Sequence, residues 1–323
     1  MEEQPSMPHI FAALRRGFNA IANHPVFILL PLGLDLFLWL GPQLRVSQLV
    51  MPFYKELFDA MSTTPGADAA SLAQLNQSVT AVISQFNLFV TLRAYPVGVP
   101  SLVATALVAN SPIGALDLAP VSGAAMAGLA TGFGLAGLAL GSLFFNVLAR
   151  HTSEPSEPFS FQVWTYQFGQ SLVLALVLVL IVLAISFPVM ALVSFLALLS
   201  PVLAEMVLLF GVVIATWLLL PLAFCAHGIF VLRQSALQSM LSSYRVVRSA
   251  MSQNLGFLLV AIIAQLLLNA LWLTPPGNSW MLLVGILGHA FTGTAFLASS
   301  FVFYREGVSW ASKWAVTRTR TLL

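Results

Sequence analysis

Residues 171–231 form the longest apolar run of the chain, and Glu205 is its only formally charged side chain. A helix needs about 20 mostly apolar residues to cross the roughly 30 Å hydrocarbon core of a bilayer. Segments that meet this length lie at residues 25–44, 121–148, 171–199, 202–231, 253–273 and 280–304. The sequence therefore predicts an all-α polytopic membrane protein with about six transmembrane helices.

The scarcity of charge indicates that lipid is the solvent for most of the surface. Charged residues make up 7% of the chain, against roughly 25% in an average soluble domain. The net charge is only +2 and the 13 Lys and Arg are scattered, so we expect the lipid bilayer and no nucleic acid as a partner. The single cysteine, Cys225, excludes a disulfide or a Cys-based metal site within one subunit.

The distribution of basic residues sets the expected topology. The long apolar run has room for two long helices or three short ones. With two helices, Arg233, Arg245 and Arg248 fall on the same side as Arg15 and Arg16, as the retention of basic loops in the cytoplasm requires. We therefore expect a multi-pass protein of the bacterial plasma (inner) membrane with cytoplasmic N- and C-termini.

An amphipathic stretch precedes the first apolar segment, with apolar side chains at helical spacing and Arg15 and Arg16 on the opposite face. This pattern is typical of a helix that lies in the membrane interface. A similar stretch with Arg245 and Arg248 precedes the fifth segment and aligns with the first without a gap, and a weaker one begins at Phe161. We expect cytoplasmic elbow helices within a single integral membrane domain over residues 1–323, with repeats at 9–149, 159–231 and 236–304. Convergence of membrane-entry sequences is the alternative.

An outer loop over residues 46–119 is the only sizeable portion expected outside the membrane. Apolar spacing indicates a short helix around residues 53–61 and a longer one over 71–92, and the apolar run 101–109 is expected to dip back toward the membrane. With so few charges, the loop is not expected to stand free in water. Capping the outer face of the bundle and receiving a partner protein are the two interpretations.

Glycines are concentrated in the second apolar segment, where Gly128 and Gly132 form one GxxxG step and Gly137 and Gly141 form another. Such steps let another backbone approach closely, which is how helices associate in lipid. We expect this helix to be central and the most buried. Its partner is either another helix of the chain or a second copy in a homo-oligomer.

Asp35 is the acidic residue expected deepest in a membrane span, about ten residues into the first segment. An exposed carboxylate there costs at least about 2.5 kcal/mol, so Asp35 must face protein or water. His289 and Gln265 are expected at roughly comparable depth, with Asn269 one turn nearer the outer surface. The four residues are candidates for an intramembrane polar site that relays a proton or binds a cation. A polar contact that only fixes helix packing is the alternative.

The motifs of common active sites are missing from the sequence, including HExxH, GxSxG, the P-loop and CxxC. We therefore expect a protein that is not an enzyme and has no cofactor. One enzymatic alternative uses His227, Arg233 and Glu205 inside the membrane. It is weakened because Glu205 and His227 are about 33 Å apart if they lie on one helix with a rise of 1.5 Å per residue.

The stretch Tyr-Arg-Val-Val-Arg-Ser at 244–249, followed by Asn-Leu-Gly-Phe at 254–257, resembles an elbow and helix of certain bacterial six-helix membrane proteins. These include the membrane domain attached to glycerophosphodiester phosphodiesterases, and residues 15–27 are similar. The resemblance implies a helical membrane module that accompanies other machinery, and it carries over no catalytic residue.

Two functions follow as hypotheses. The first is a non-catalytic membrane protein that serves as a subunit or accessory of a membrane complex. The second is a secondary transporter or channel with a midplane polar site at Asp35 and His289. A water-accessible cavity that meets both residues would favour transport, and a dry contact between them would contradict it.

Overall fold

The computed structural model describes residues 9–63, 69–108, 110–114, 116–118, 122–153 and 158–321. Its regular secondary structure is helical apart from two two-residue strands. Within these ranges, five helices are long and apolar enough to cross a membrane. The number rises to six when a bent pair, Ile10–Asn23 and Pro25–Leu40, is counted as one span. The protein is therefore a multi-pass helical membrane protein, and the predicted fold class is confirmed.

The helices follow the predicted segments closely. They are α1 (Ile10–Asn23), α2 (Leu29–Leu40), α3 (Ser47–Ser62), α4 (Ala69–Gln85), α5 (Leu102–Ala106), α6 (Gly123–His151), α7 (Phe161–Ala197), α8 (Pro201–Leu219), α9 (Cys225–Val231), α10 (Ala236–Ser249), α11 (Met251–Trp272) and α12 (Leu282–Thr321). Short 3-10 turns occur at Pro25–Ile28, Leu88–Leu92 and Leu220–Leu222. The predicted limits at residues 119 and 121 lie outside the described residues.

Helix α1 packs along the second half of α12. An ion pair joins Arg16 to Glu306, and a Cβ built on Gly17 would overlap Ser299 of α12, so the two backbones are in close contact. Between α1 and the next helical segment the chain bends by 92°, which is the geometry of the predicted elbow. We call the end of the bundle that carries α1 and Glu306 the terminal end, and the opposite end the loop end.

The second predicted elbow is α10, a 14-residue helix whose start is held by a capping box between Ser235 and Gln238. It breaks from α11 at Ala250 (φ −134°, ψ 55°), almost the conformation of His24 after α1 (φ −134°, ψ 67°). The gap-free alignment pairs Ala250 with Ala20, however, so the two breaks lie four positions apart. The third predicted elbow is not separate, because it forms the first part of the continuous α7. The repeat itself stays a prediction.

Residues 86–108, which we call the inserted loop, run into the bundle from the loop end and return to it. The loop starts at the loop end, where Asn87 Oδ1 accepts a hydrogen bond from Leu44 N at 3.0 Å. Its middle packs against Gly141 of α6, about 27 Å along that helix at 1.5 Å per residue. It finishes at the loop end, where Val108 packs against Gly277. Non-helical backbone at this depth requires burial in protein or a cavity to line.

The inserted loop corrects the predicted outer loop, in which only residues 101–109 were expected to dip inward. Val97 and Val99 are buried in the main apolar core beside Phe145 and Phe301. What remains at the loop end is the pair α3 and α4 with a small parallel sheet, β1 (Pro42–Gln43) and β2 (Leu116–Asp117). The loop is therefore a core element as well as a cap.

The two GxxxG steps of α6 have different environments. A Cβ built on Gly137 would overlap the backbone of Leu92, and one on Gly141 would overlap the backbone of Val97, so both glycines admit the inserted loop. Gly128 and Gly132 have no neighbour within 4 Å of such an atom. At Gly137 and Gly141 the predicted helix–helix contact is thus replaced by a helix–loop contact, whereas Gly128 and Gly132 have no such neighbour among the described residues of the chain. A contact of this second step with another copy stays a prediction. Helix α12 is also more buried than α6, contrary to the prediction.

This difference predicts opposite effects of alanine substitution. We expect Gly137→Ala and Gly141→Ala each to destabilise the protein by about 1–3 kcal/mol, the usual cost of overpacking. Gly128→Ala and Gly132→Ala should be neutral or stabilise it by up to about 1 kcal/mol, since alanine is the better helix former. Unfolding in mixed detergent and SDS micelles measures all four. Equal effects at the four positions would contradict the close packing of the loop on α6.

Helices α7 and α8 form a hairpin that faces outward over most of its length. In an apolar stretch of each of the two spans only 6% of the residues are buried, against 56% in the corresponding stretch of α12. Phe187 and Leu198 are 79% and 83% exposed. The hairpin therefore offers a large apolar surface to lipid or to another membrane protein.

Candidate functional site

Asp35 is fully buried and binds the inserted loop. Its carboxylate accepts hydrogen bonds from Leu102 N at 3.0 Å, from Val103 N at 3.1 Å and from the hydroxyl of Ser101. These groups form the start of α5, where unpaired N–H groups and the helix dipole favour a negative charge. Asp35 therefore holds the inserted loop in the bundle.

His289, Asn269 and Gln265 form a separate polar cluster between α11 and α12. Asn269 Oδ1 lies 2.9 Å from His289 Nδ1 and accepts a hydrogen bond from Gln265 Nε2 at 2.8 Å. Because the amide oxygen is an acceptor, His289 Nδ1 carries the proton in this arrangement. His289 Nε2 is buried and has no hydrogen-bond partner. It is free to accept a hydrogen bond from a ligand, or to donate one when the ring is protonated.

The structure thus separates the four predicted site residues into two sets. No hydrogen bond or ion pair joins Asp35 to His289 in the described part of the chain, since Asp35 binds the start of α5 and His289 binds Asn269. The pairing that equal depth suggested is therefore not formed. The grouping of His289 with Gln265 and Asn269 is observed.

A cavity of about 230 Å³ adjoins the His289 cluster, and we call it the Arg93 cavity. The inserted loop forms one wall, with Arg93 and Thr105, and α11 and α12 form the other. Arg93 donates a hydrogen bond to the hydroxyl of Thr105 and lies 5.3 Å from the ring centroid of Tyr95, which is 72% exposed at the rim. None of the described lining residues is acidic. A positive charge without a carboxylate at the wall favours an anionic or strongly polar ligand.

Three buried rings lie at the inner end of this cavity. Phe145, which lines the Arg93 cavity, has its ring centroid 5.4 Å from Phe230 and 5.5 Å from Phe301. We call these residues the phenylalanine cluster. Along α12, Leu297 lines the Arg93 cavity, Phe301 follows one turn later, and Arg305 follows after one more turn.

A second cavity, of about 320 Å³, lies beyond the phenylalanine cluster toward the terminal end, and we call it the Arg150 cavity. Phe230 and Asn146 line it together with Arg150, Arg233 and Arg305. Two cavities that contain arginine are thus separated by one layer of aromatic side chains.

Glu205 and His227, two residues of the enzymatic alternative, lie far apart. His227 lies among aromatic rings, 4.8 Å from the ring centroid of Phe301, and its Nε2 is 2.8 Å from Ser300 Oγ. Because the Ser300 hydroxyl donates to Leu297 O, the imidazole donates to Ser300, which is the wrong direction for a base acting on a serine. Glu205 lies near the opposite end of the same span, as predicted.

Arg93, Ser101 and Arg150 are the site residues that sequence reasoning missed. In the sequence, Arg93 is one of the charged residues of a long predicted outer loop, and Ser101 is the first residue of an apolar run. Neither position indicates a ligand or a buried partner. The available signal was the combination of Pro96, Pro100 and the apolar residues after them, because an apolar stretch too short to span the membrane has to be buried in another way.

No protein family, curated protein or solved structure matches the chain in the comparisons made. The resemblance to the membrane domain attached to glycerophosphodiester phosphodiesterases therefore stays a prediction.

Proposed function

We propose that the protein transports small anions across the membrane through the Arg93 cavity. The observation that carries this proposal is the pair of arginine-lined cavities on either side of the phenylalanine cluster. Anion pathways use arginine or lysine side chains to attract the ion, and apolar constrictions close them by excluding water. Asp35 does not line the Arg93 cavity. Its carboxylate binds the inserted loop, and its charge attracts Arg93 electrostatically.

The size and chemistry of the Arg93 cavity restrict the solute. Its volume of about 230 Å³ is below the roughly 300–1,000 Å³ of sites for drug-sized ligands. Arg93 supplies the positive charge of the wall. His289 Nε2 has no partner, and it donates a hydrogen bond to an anion only when the imidazole is protonated, because the neutral ring carries its proton on Nδ1. A small anion such as an inorganic ion or a short carboxylate matches this wall. We place the terminal end in the cytoplasm of a bacterial cell, on the basis of the arginine distribution.

Replacement of Arg93 by glutamine is expected to reduce anion uptake by about 10- to 100-fold, the effect of losing one hydrogen bond to a charged group. Purified protein in liposomes is assayed for uptake of chloride, nitrate, lactate and inorganic phosphate. Lys55→Gln is the matched control, since Lys55 is an exposed cation on α3 outside the cavity. Uptake no faster than in protein-free liposomes for every anion, or an unchanged rate in Arg93→Gln, would contradict transport.

An accessory role is the second candidate, and the outward-facing α7–α8 hairpin favours it. A hairpin with so few buried residues is a surface on which another membrane protein or a second copy packs without displacing any part of this chain. Purification from native membranes in mild detergent tests this role. A stoichiometric partner that is lost on Leu180→Arg, Leu209→Arg substitution supports it, whereas a lone protein that moves anions in liposomes refutes it.

A further inference from the structure

We infer that the Arg150 cavity is a binding site for a phosphate ester. This inference goes beyond the proposed transport of small anions, because it assigns a ligand class to the second cavity of the proposed pathway and is tested by binding in the absence of flux. The site lies between the end of α6, the start of α7, the segment after α9, and α12. The inference rests on three observations: an arginine with unpaired donors, a second arginine held by backbone carbonyls, and an apolar wall.

Arg150 is the central observation. Arg150 is partly buried as a residue, but its Nε and Nη1 atoms are inaccessible to solvent and have no hydrogen-bond partner. Buried donors of a charged group are nearly always paired, because leaving them unpaired is costly. The guanidinium lies 5.4 Å from the ring centroid of Phe159, and no carboxylate of the described residues forms an ion pair with it. A ligand with several acceptor oxygens would pair these donors.

Arg305 adds a second fixed charge. Its guanidinium donates to the carbonyl oxygens of Ala149, at 2.9 Å, and Thr152. These carbonyls belong to the end of α6, where the helix dipole is negative and would otherwise repel an anion. Arg305 therefore offsets this negative end beside the cavity, and Arg233 also lines it.

The composition of the wall indicates the class of ligand. Three arginines and no acidic side chain line the cavity within the described ranges. Arginine clusters of this kind suit the several oxygens of a phosphate better than a single carboxylate. The apolar side chains of Val163, Phe230 and Val231 line the same cavity. The volume of about 320 Å³ leaves room for an organic group beside the phosphate.

Two sources carry this chemistry, the headgroup of an anionic phospholipid and a soluble phosphate monoester. Phenyl phosphate and inorganic phosphate serve as soluble probes for calorimetry on the full chain in detergent. Nanodiscs of phosphatidylcholine with or without phosphatidic acid serve as lipid probes, with bound phosphatidic acid measured by native mass spectrometry. Binding of phenyl phosphate identifies a soluble ester, and binding of phosphatidic acid alone identifies a lipid headgroup. Binding of inorganic phosphate as strong as that of phenyl phosphate would contradict a role for the apolar wall.

The decisive variant is Arg150→Gln, which is expected to weaken binding of the probe by about 10- to 100-fold. Arg15→Gln, which removes an exposed arginine of α1 outside the cavity, should leave binding unchanged. Val163→Trp fills the cavity without removing a charge and should also abolish binding. It keeps the test informative if Arg150→Gln fails to fold.

Three outcomes would overturn the inference. They are no binding of any probe, binding equally strong in Arg150→Gln and wild type, and binding that appears only in a Glu154→Gln, Glu157→Gln double variant. The last would mean that the chain itself fills the cavity, because these two acidic residues follow Ser153 in the sequence but lie outside the described residues. Phosphate binding without anion uptake would support this site and contradict transport, and the reverse result would do the opposite.

Discussion

Replacement of Asp35 by alanine is expected to destabilise the protein by at least about 3 kcal/mol, since each buried donor left without an acceptor costs about 1–3 kcal/mol. The three donors are Leu102 N, Val103 N and the Ser101 hydroxyl, all at the start of α5. Asp35→Asn should cost less, because its amide keeps one acceptor oxygen of the same size. Unfolding in mixed micelles measures the loss, and limited proteolysis within residues 86–108 reports release of the inserted loop.

Asp117→Ala is the matched control for this experiment. The Asp117 side chain is 57% exposed and pairs with Arg45 at 2.8 Å, and such surface pairs contribute about 0–1 kcal/mol. The comparison separates structure from function at Asp35. If Asp35→Ala unfolded like the wild type but lost anion uptake, the carboxylate would belong to the transport pathway and our structural interpretation of it would be wrong.

The second large effect is expected from Phe301→Ala, which removes one ring of the phenylalanine cluster. Phe301 is fully buried against Phe145, so truncation should cost about 3–5 kcal/mol. It should also join the Arg93 and Arg150 cavities, because Phe301 lies between the residues of α12 that line them. We therefore expect a leak of chloride across the liposome membrane that is faster than in the wild type and no longer depends on substrate concentration in a saturable way.

Phe303→Ala separates the leak from the loss of stability. Phe303 is equally buried and lies two residues away, but it stacks on Phe257, at 4.3 Å between ring centroids, in a different apolar cluster. We expect a similar cost of unfolding and no leak. Equal chloride leaks in the two variants would show that destabilisation alone makes the protein leaky. A Phe301→Ala variant with no chloride leak would contradict the assignment of the phenylalanine cluster as the barrier.

Apolar segment length was enough to predict the long helices. In lipid, backbone N–H and C=O groups must pair within the protein. A continuous run of 20 or more apolar residues therefore forms a helix, which pairs these groups within one segment. The helix α1 was equally readable from its amphipathic spacing. Its buried face packs on α12, and its position in the membrane interface stays a prediction. Segment depth also placed His289, Gln265 and Asn269 together correctly. On two neighbouring helices, the depth of a residue follows from its number of residues from the helix end.

Depth alone did not identify the partner of Asp35. The carboxylate is near the level of His289, but the start of α5 offers two N–H groups and a hydroxyl in one place, and these compete better for both oxygens. The glycines of α6 are a second case in which the sequence did not identify the neighbour. A GxxxG pattern indicates that another backbone can approach closely, but it does not specify which segment does so. In this protein the neighbour of Gly137 and Gly141 is a loop.

The sequence by itself determined the solvent, the approximate positions of the long apolar helices, and the amphipathic stretches that became α1 and α10, because each depends on hydrophobicity along a local stretch of chain. Only the tertiary structure decided that residues 86–108 enter the helix bundle, which donors bind the Asp35 carboxylate and which arginines line the same cavity. Those features depend on contacts between residues far apart in the chain, such as Asp35 with Leu102 and Arg305 with Ala149. Local hydrophobicity carries no information about such pairs.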